Sequence, residues 1–432
     1  MRLFTNLRQG RLGLDSPTEM RSGARKKAVA GLALSGVAVL VLAGCSSATP
    51  SGGDASASPG GAWTPASIAA KYGTVEYGDS WHSLALSIIA DRASGGAAAA
   101  KALGQTYKGI SADFNAVKQL SDIETAVGAG MKAMNVVPLE APSVNAFAPI
   151  ACTAKVPFTT SYNSPAWKTP GEFCPQYVSY TAPNDFETGV LTATKLVKAL
   201  NGKGRIVHIT GLKGATADAL RTLGVESVLK QNPGIKLAYS IPTDWVGKTA
   251  FDKFAAILAT DTGKIDGVIA ADDDLGVGAY NAARAVQQTP LIVSSDGTKE
   301  VLGIIGAGNS NYLGTVDTGS TYIGGYLMVR LFDAMNGWKP TPAETMMYWP
   351  IKWVDKTTAG PVLDKANKGD YDWAKMSRVL YPDTWNTQGL LTTMDPAVVW
   401  QTQPTPSGYA LPAGFSKEDR AKTDALYAAH SK

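Results

Sequence analysis

Histidine and cysteine are scarce here, with three of each in 432 residues. Catalytic constellations are correspondingly thin. His208 lies inside a strand-like run and His430 in a polar tail, which leaves His82 beside other candidate groups. Neither His-Glu-x-x-His nor Gly-x-Ser-x-Gly is present. Gly211-Leu212-Lys213-Gly214 matches neither the dinucleotide fingerprint nor the phosphate loop, so it reads as a tight turn. No cofactor is expected. Long apolar runs are missing beyond residue 43, and none there could cross a bilayer. An excess of one charge is missing too, although the chain counts 40 basic and 36 acidic residues. Residues 1–44 hold seven of the former and two of the latter, which leaves 33 against 34, a net −1, for the rest. That balance gives no grounds for a nucleic-acid partner.

The chain begins with an export pattern. Arg21, Arg25, Lys26 and Lys27 precede an uncharged run over 28–43 that is too short and small-residue-rich for a spanning helix. It ends in Leu42-Ala43-Gly44-Cys45, which resembles the lipobox of bacterial lipoproteins. Small residues let the peptidase reach the backbone, and the thiol after the cut carries diacylglycerol. An ordinary secretory signal is the alternative, but the end of the run lacks an A-x-A-like site. The expectation is a lipoprotein signal over 1–44 and a lipid anchor (palmitate-bearing) on Cys45, outside the cytoplasm. Met20 would be a natural start, with residues 1–19 as a prefix. Residues 46–61 are Ser, Ala, Gly, Pro and Thr with one Asp, so 45–65 reads as a flexible tether. Cys152 and Cys174 remain. In an exported chain they suggest a disulfide, worth about 3 kcal/mol for this loop length. Two buried thiols are the alternative.

The following stretch of about 370 residues suffices for two domains. Short apolar runs alternate with helical patterns. Strands are expected at 74–77, 132–137, 156–160, 205–210, 236–241, 267–270 and 291–294. Phe251, Phe254, Ala255 and Leu258 mark one face of a helix. Leu220, Leu223 and Val228 mark another, which Pro233-Gly234 ends. Such alternation means βαβ units and mainly parallel sheets, with ligands beyond the carboxyl ends of the strands.

The residues after those strands are therefore the candidate site. Asp272-Asp273-Asp274 follow one strand. An Asp there can cap the next helix, face a ligand, or hold a metal, although calcium-loop spacing is absent. Asp296-Gly297 follow another, where Asp296 either accepts ligand hydrogen bonds or organises a turn. Trp245 beside Asp244 is either core or a stacking face. Trp81-His82, with Asp79 and Ser80 before them, and Tyr162-Asn163 offer aromatic walls beside polar groups. That pairing suits a sugar-like ligand, whose C–H face stacks on rings while its hydroxyls seek acceptors and donors. A paired-carboxylate hydrolase using Asp272 and Asp296 is a minor alternative.

The run Gly204-Arg205-Ile206-Val207-His208-Ile209-Thr210-Gly211, with Arg221-Thr222-Leu223-Gly224 and Asn232-Pro233-Gly234-Ile235, resembles periplasmic sugar-binding proteins of ribose-binding-protein type. Residues 265–279 and 290–297 continue the likeness. It is specific over 204–297, looser over 74–200 and 300–350, and absent beyond Trp353. The resemblance implies two doubly wound parallel-sheet α/β lobes joined by three crossovers. It also implies a ligand that closes the hinge, no catalysis, and delivery to ABC permease subunits. By position it makes Asp272, Asp296, Trp245 and Thr318 ligand residues. Other positions depart from the family: its sugar-binding Arg falls on Ala219, its Asp-Arg pair on Tyr162-Asn163, and its Asn before Pro138 on Val137. Each loss removes a charged or polar bond to a hydroxyl, worth about 1.5–3 kcal/mol where charged. The ligand is then expected to be a sugar derivative or polyol other than ribose.

The expected division is 66–181 plus 319–348 for the first lobe and 182–318 plus 349–432 for the second. Six of the ten tryptophans lie between Trp338 and Trp400, so this C-terminal extension is expected to pack rather than dangle. The expected function is a monomeric, membrane-anchored binder of a sugar or polyol. A receptor subunit for a membrane sensor is the alternative. A transcription regulator of the same fold is disfavoured by the lipobox.

Overall fold

The computed structural model describes residues 62–308 and 310–432. The expected signal, the Cys45 lipid site and most of the expected tether lie outside the described residues. The chain opens with α1 (Pro65–Tyr72), β1 (Glu76–Trp81), α2 (Ser87–Ala102), β2 (Thr106–Ser111), α3 (Ala116–Gly128), β3 (Ala133–Val136), α4 (Ser143–Thr153), β4 (Phe158–Ser161) and β5 (Tyr177–Pro183). It continues with α5 (Asp185–Ala199), β6 (Gly204–Thr210), α6 (Thr216–Gln231), β7 (Ile235–Pro242), α7 (Gly247–Thr260), β8 (Gly267–Ala270), α8 (Asp273–Ala285), β9 (Leu291–Asp296), α9 (Lys299–Gly306) and β10 (Tyr312–Asp317). Then come α10 (Ser320–Met335), β11 (Met346–Trp349), β12 (Lys352–Asp355), α11 (Ala359–Lys368), β13 (Thr392–Thr393), α12 (Pro396–Val399) and α13 (Lys417–Ala429).

Two sheets result, ordered β13-β11-β5-β4-β3-β1-β2 and β12-β10-β9-β8-β6-β7. Every pairing is parallel except those of β13 and β12 at the edges. Helices cover both faces, with α2 against α10 and α3 against α4 on the first sheet, and α5 against α6 and α7 against α8 on the second. Central strands buried on both sides need continuous apolar runs rather than alternation. The fully buried β8 fits that requirement, whereas the equally buried β3 and β4 carry polar residues that pair with one another, Thr159 donating to Asn135 (2.9 Å). His208 packs inside β6, where burial lowers its pKa to about 4. The expected strand at 74–77 runs further, to Trp81. Trp81 therefore lies within the sheet instead of after it.

Three segments pass between the lobes as expected: β5 into α5, β10 into α10, and β11 into β12. The C-terminal segment adds a fourth. After α11 packs on α9, the chain returns to the first lobe, where β13 pairs with β11. Only β12 and α11 of the 349–432 segment thus stay with the second lobe, and the expected grouping is corrected accordingly. The return explains why α10 is buried from Ser320 to Asp333. The sheet covers one side and residues 371–432 the other. Arg330 donates to the Tyr427 hydroxyl (2.9 Å) and the Glu344 carbonyl (2.8 Å). Asp333 accepts from the Arg378 backbone (2.9 Å) and from the Ser377 hydroxyl. Trp385 stacks on His430 with centroids 4.2 Å apart. Cys152 and Cys174 are bonded, which ties the end of α4 to the approach to β5.

Gly325 is where α10 meets the tail: a Cβ there would lie 2.3 Å from the Trp373 ring. Gly325→Val is expected to lower unfolding stability by about 3 kcal/mol. It should also open residues 371–432 to limited proteolysis. An unchanged urea midpoint with a protected tail would contradict this packing.

Candidate functional site

The carboxyl ends of both sheets face one narrow cleft. Bonds across it join the lobes. Ser87, at the start of α2, donates its backbone N–H (3.1 Å) and hydroxyl (2.8 Å) to Asp274. The Asn163 side chain accepts from the Thr216 backbone (2.8 Å) while donating to the Pro138 carbonyl (2.8 Å).

The second lobe builds its wall around Arg221 of α6. Its Nε donates to Asp185 (2.8 Å), and Nη1 donates to the Ala271 carbonyl (2.5 Å) and the Ser295 hydroxyl (2.8 Å). Nη2 stands 3.6 Å from Asp296 Oδ1. One guanidinium thus connects α5 to the ends of β8 and β9. Asp296 has φ of 129°, an uncommon value for a residue with a Cβ. Its carbonyl accepts from the Thr318 backbone (3.1 Å) and hydroxyl (3.2 Å).

The three consecutive carboxylates have separate tasks. Asp272 caps α8 by accepting from the Leu275 backbone (2.7 Å), and it also lines the cavity. Asp273 turns inward, accepting from the Thr298 backbone (2.7 Å) and the Thr315 hydroxyl (2.7 Å). Asp274 takes the Ser87 bonds across the cleft. Among the described residues no cluster of His, Cys, Asp and Glu could hold a metal ion.

Burial raises the carboxyls of Asp272 and Asp296 well above the usual range. Their mutual repulsion adds to this for Asp272, and Arg221 opposes it for Asp296. In this low-dielectric cleft Asp272 and Asp296 face each other beside a single guanidinium that Asp185 also engages, which disfavours two simultaneous charges.

Trp245 closes the same wall. Its backbone has φ of 70°, and its ring lies over Gly211, where a Cβ would come within 2.1 Å. Asp218 holds that turn by accepting from the Gly211 backbone (2.6 Å).

On the first lobe, His82, Tyr162 and Asn163 line the cavity with Leu86, Ile88, Ile89, Val137 and Leu139. Burial, then nearby Arg92, lowers the His82 pKa to about 4. Tyr162 packs edge-on to Trp349 at 5.5 Å. Beneath it, the Arg92 guanidinium sits between the rings of Tyr162 (4.9 Å), Trp349 (5.2 Å) and Trp81 (5.4 Å).

His82, Tyr162, Asn163, Trp245, Asp272 and Asp296 therefore meet in one place. Trp81 does not: it is fully buried in β1, in the shell around Arg92. Thr318 does not line the cavity either, because its hydroxyl is spent on the Asp296 carbonyl. Sequence reasoning missed Arg221 as a site residue. A guanidinium is lost at Ala219, but one stands two positions on, as the match at 221–224 could have signalled. The aliphatic residues of the α2 start were also missed.

A model of the "Periplasmic binding protein domain" family matches residues 89–337. A xylitol-binding protein of Mycolicibacterium smegmatis is 28% identical over 206 residues, 48% of this chain and 56% of that protein. A putative rhizopine-binding protein of Rhizobium meliloti is 26% identical, over 44% of this chain and 62% of that protein. The matched regions thus span less than two thirds of these relatives' length, and both are named for a ligand they bind rather than a reaction. The solved structure of a twin-arginine translocation pathway signal protein from Burkholderia phytofirmans superposes with a TM-score of 0.65 at 25% identity, covering 72% of this chain and 97% of that one. The family match takes in more than half of the sequence and strands of both sheets, and the chain belongs to the periplasmic binding protein domain family.

Proposed function

We propose that this chain is an extracytoplasmic solute-binding protein that encloses a sugar or polyol between its lobes and hands it to the permease subunits of an ABC importer. The observation that carries the reading is the pair of buried carboxylates, Asp272 and Asp296, beside one guanidinium and an indole face in a single cleft. Carboxylates accept from hydroxyl hydrogens, Arg221 fixes Asp296, and the Trp245 ring meets C–H surface. The name of the xylitol-binding relative agrees with that chemistry. A paired-carboxylate hydrolase is set aside, since Asp272 already caps a helix and the relatives are binding proteins. The bonds from Ser87 to Asp274 and from Thr216 to Asn163 would break on opening, so ligand entry needs a hinge motion. Lipid on Cys45 and the low-complexity stretch after it would keep the binder beside its permease.

Ligand binding to the folded state should raise the melting temperature, by mass action, when sugars and polyols are screened at millimolar concentration. A broad panel without any shift would count against the reading. Trp245→Ala should weaken binding by at least about 1 kcal/mol while the circular dichroism spectrum stays native. Unchanged affinity would remove the ring from the site. Arg221→Met should cost about 3–5 kcal/mol at neutral pH, because Asp185 and Asp296 lose their partner inside the protein. Both carboxyls have raised native pKa values, so their charged forms destabilise the fold as pH rises. The variant's deficit should therefore shrink on acidification toward pH 5. Urea unfolding at several pH values reads this, and a deficit that grows toward low pH would contradict it.

A further inference from the structure

The two walls of the cleft differ in kind. The second lobe supplies the charged groups that line it, Arg221, Asp272 and Asp296, together with the Trp245 ring. The first lobe supplies aliphatic side chains: Leu86, Ile88 and Ile89 around the start of α2, and Val137 and Leu139 after β3. Its polar atoms are few. The Asn163 amide is committed on both sides, to the Pro138 carbonyl and the Thr216 backbone. That leaves His82 Nδ1 and the Tyr162 hydroxyl, both buried and without a hydrogen-bond partner. His82 is neutral at pH 7, so its ring offers a single N–H. A ligand hydroxyl placed against Leu86, Ile89 or Val137 would have nothing to bond and would be left buried and unpaired. A C–H or methyl group in the same place gains by leaving water.

We infer that the ligand is two-ended, with a hydroxyl-bearing edge against the second lobe and a deoxygenated carbon end, as in a deoxy-sugar or an alkyl-substituted polyol, against the first. The inference rests on the proposed function and narrows its substrate class. His82 and Tyr162 then serve the one or two hydroxyls that flank the aliphatic end. The Arg92 guanidinium holds the Tyr162 ring from behind.

Matched pairs that differ by one hydroxyl test this: 6-deoxygalactose against galactose, 6-deoxymannose against mannose, and 1-deoxyxylitol against xylitol. Each is titrated calorimetrically into the full chain. The deoxy member of at least one pair should bind about fivefold tighter or more. Leu139 is half-buried, so Leu139→Asn should fold and should bring that ratio close to one. The inference is overturned if the hydroxylated member binds as well or better in every pair that binds. It is overturned equally if Leu139→Asn leaves the deoxy preference intact. Binding by neither member of any pair would instead sink the sugar-or-polyol reading beneath it.

Discussion

The guanidinium of Arg221 is the interaction on which the second lobe's cleft wall depends. It is buried, and its donors reach the first residue of α5, the carbonyl that ends β8, and two side chains at the end of β9. A buried cation is costly unless fully paired. Here the pairing also brings together three elements far apart in sequence. Asp296 sits in an unusual backbone conformation that neighbouring groups must maintain, and Thr318 does so from the segment that leaves for the other lobe. This cleft-lining acid is therefore mechanically linked to an inter-lobe crossing.

Around that anchor, carboxylates outnumber cations. Asp185, Asp272 and Asp296 share one arginine. Such a surplus is unfavourable in an enclosed space without hydrogen-bond donors, and the raised pKa values express that cost. Hydroxyl donors from a ligand would relieve it without bringing a counter-charge. The same residues that raise this cost would thus favour a neutral, donor-rich ligand over an anionic one. Asp273 and Asp274 are better supplied with donors, from Thr298, Thr315 and Ser87, but their charges still add to the repulsion on Asp296.

Much of this was legible in the sequence. Strand-to-helix alternation indicates parallel α/β sheets, the family resemblance implies two lobes, and the acids and aromatics that follow strands at 162, 245, 272 and 296 do meet. What misled was resolution along the strand. A few residues' error in the end of β1 moved Trp81 from the cleft into the core, because a strand end is set by its neighbours' length rather than by local propensity. Thr318 was misplaced for a different reason: a position can match a binding residue of the family while its hydroxyl bonds a backbone carbonyl. Arg221 and Arg92 were hidden because helical residues reach a cleft only through packing that sequence spacing does not specify.

The tail was legible as packed but not as to where, and its route has a structural consequence. In a chain with three inter-lobe segments, each lobe ends up with an exposed helical layer. Here residues 371–432 return to the first lobe and bury α10, whose Arg330 and Asp333 would otherwise need water. Those charges make the arrangement specific, since an apolar α10 could be covered in many registers while paired ions accept few. The return also means that the tail holds both lobes, through α11 on α9 and through Trp373 on α10. Any change in the angle between the lobes must then be absorbed by four connecting segments at once. Two of them, before α10 and after α11, lead straight into an aromatic cluster of the first lobe, where Tyr322 meets Tyr326 and Tyr371. A hinge motion of the proposed kind would therefore strain a C-terminal layer that does not line the cleft.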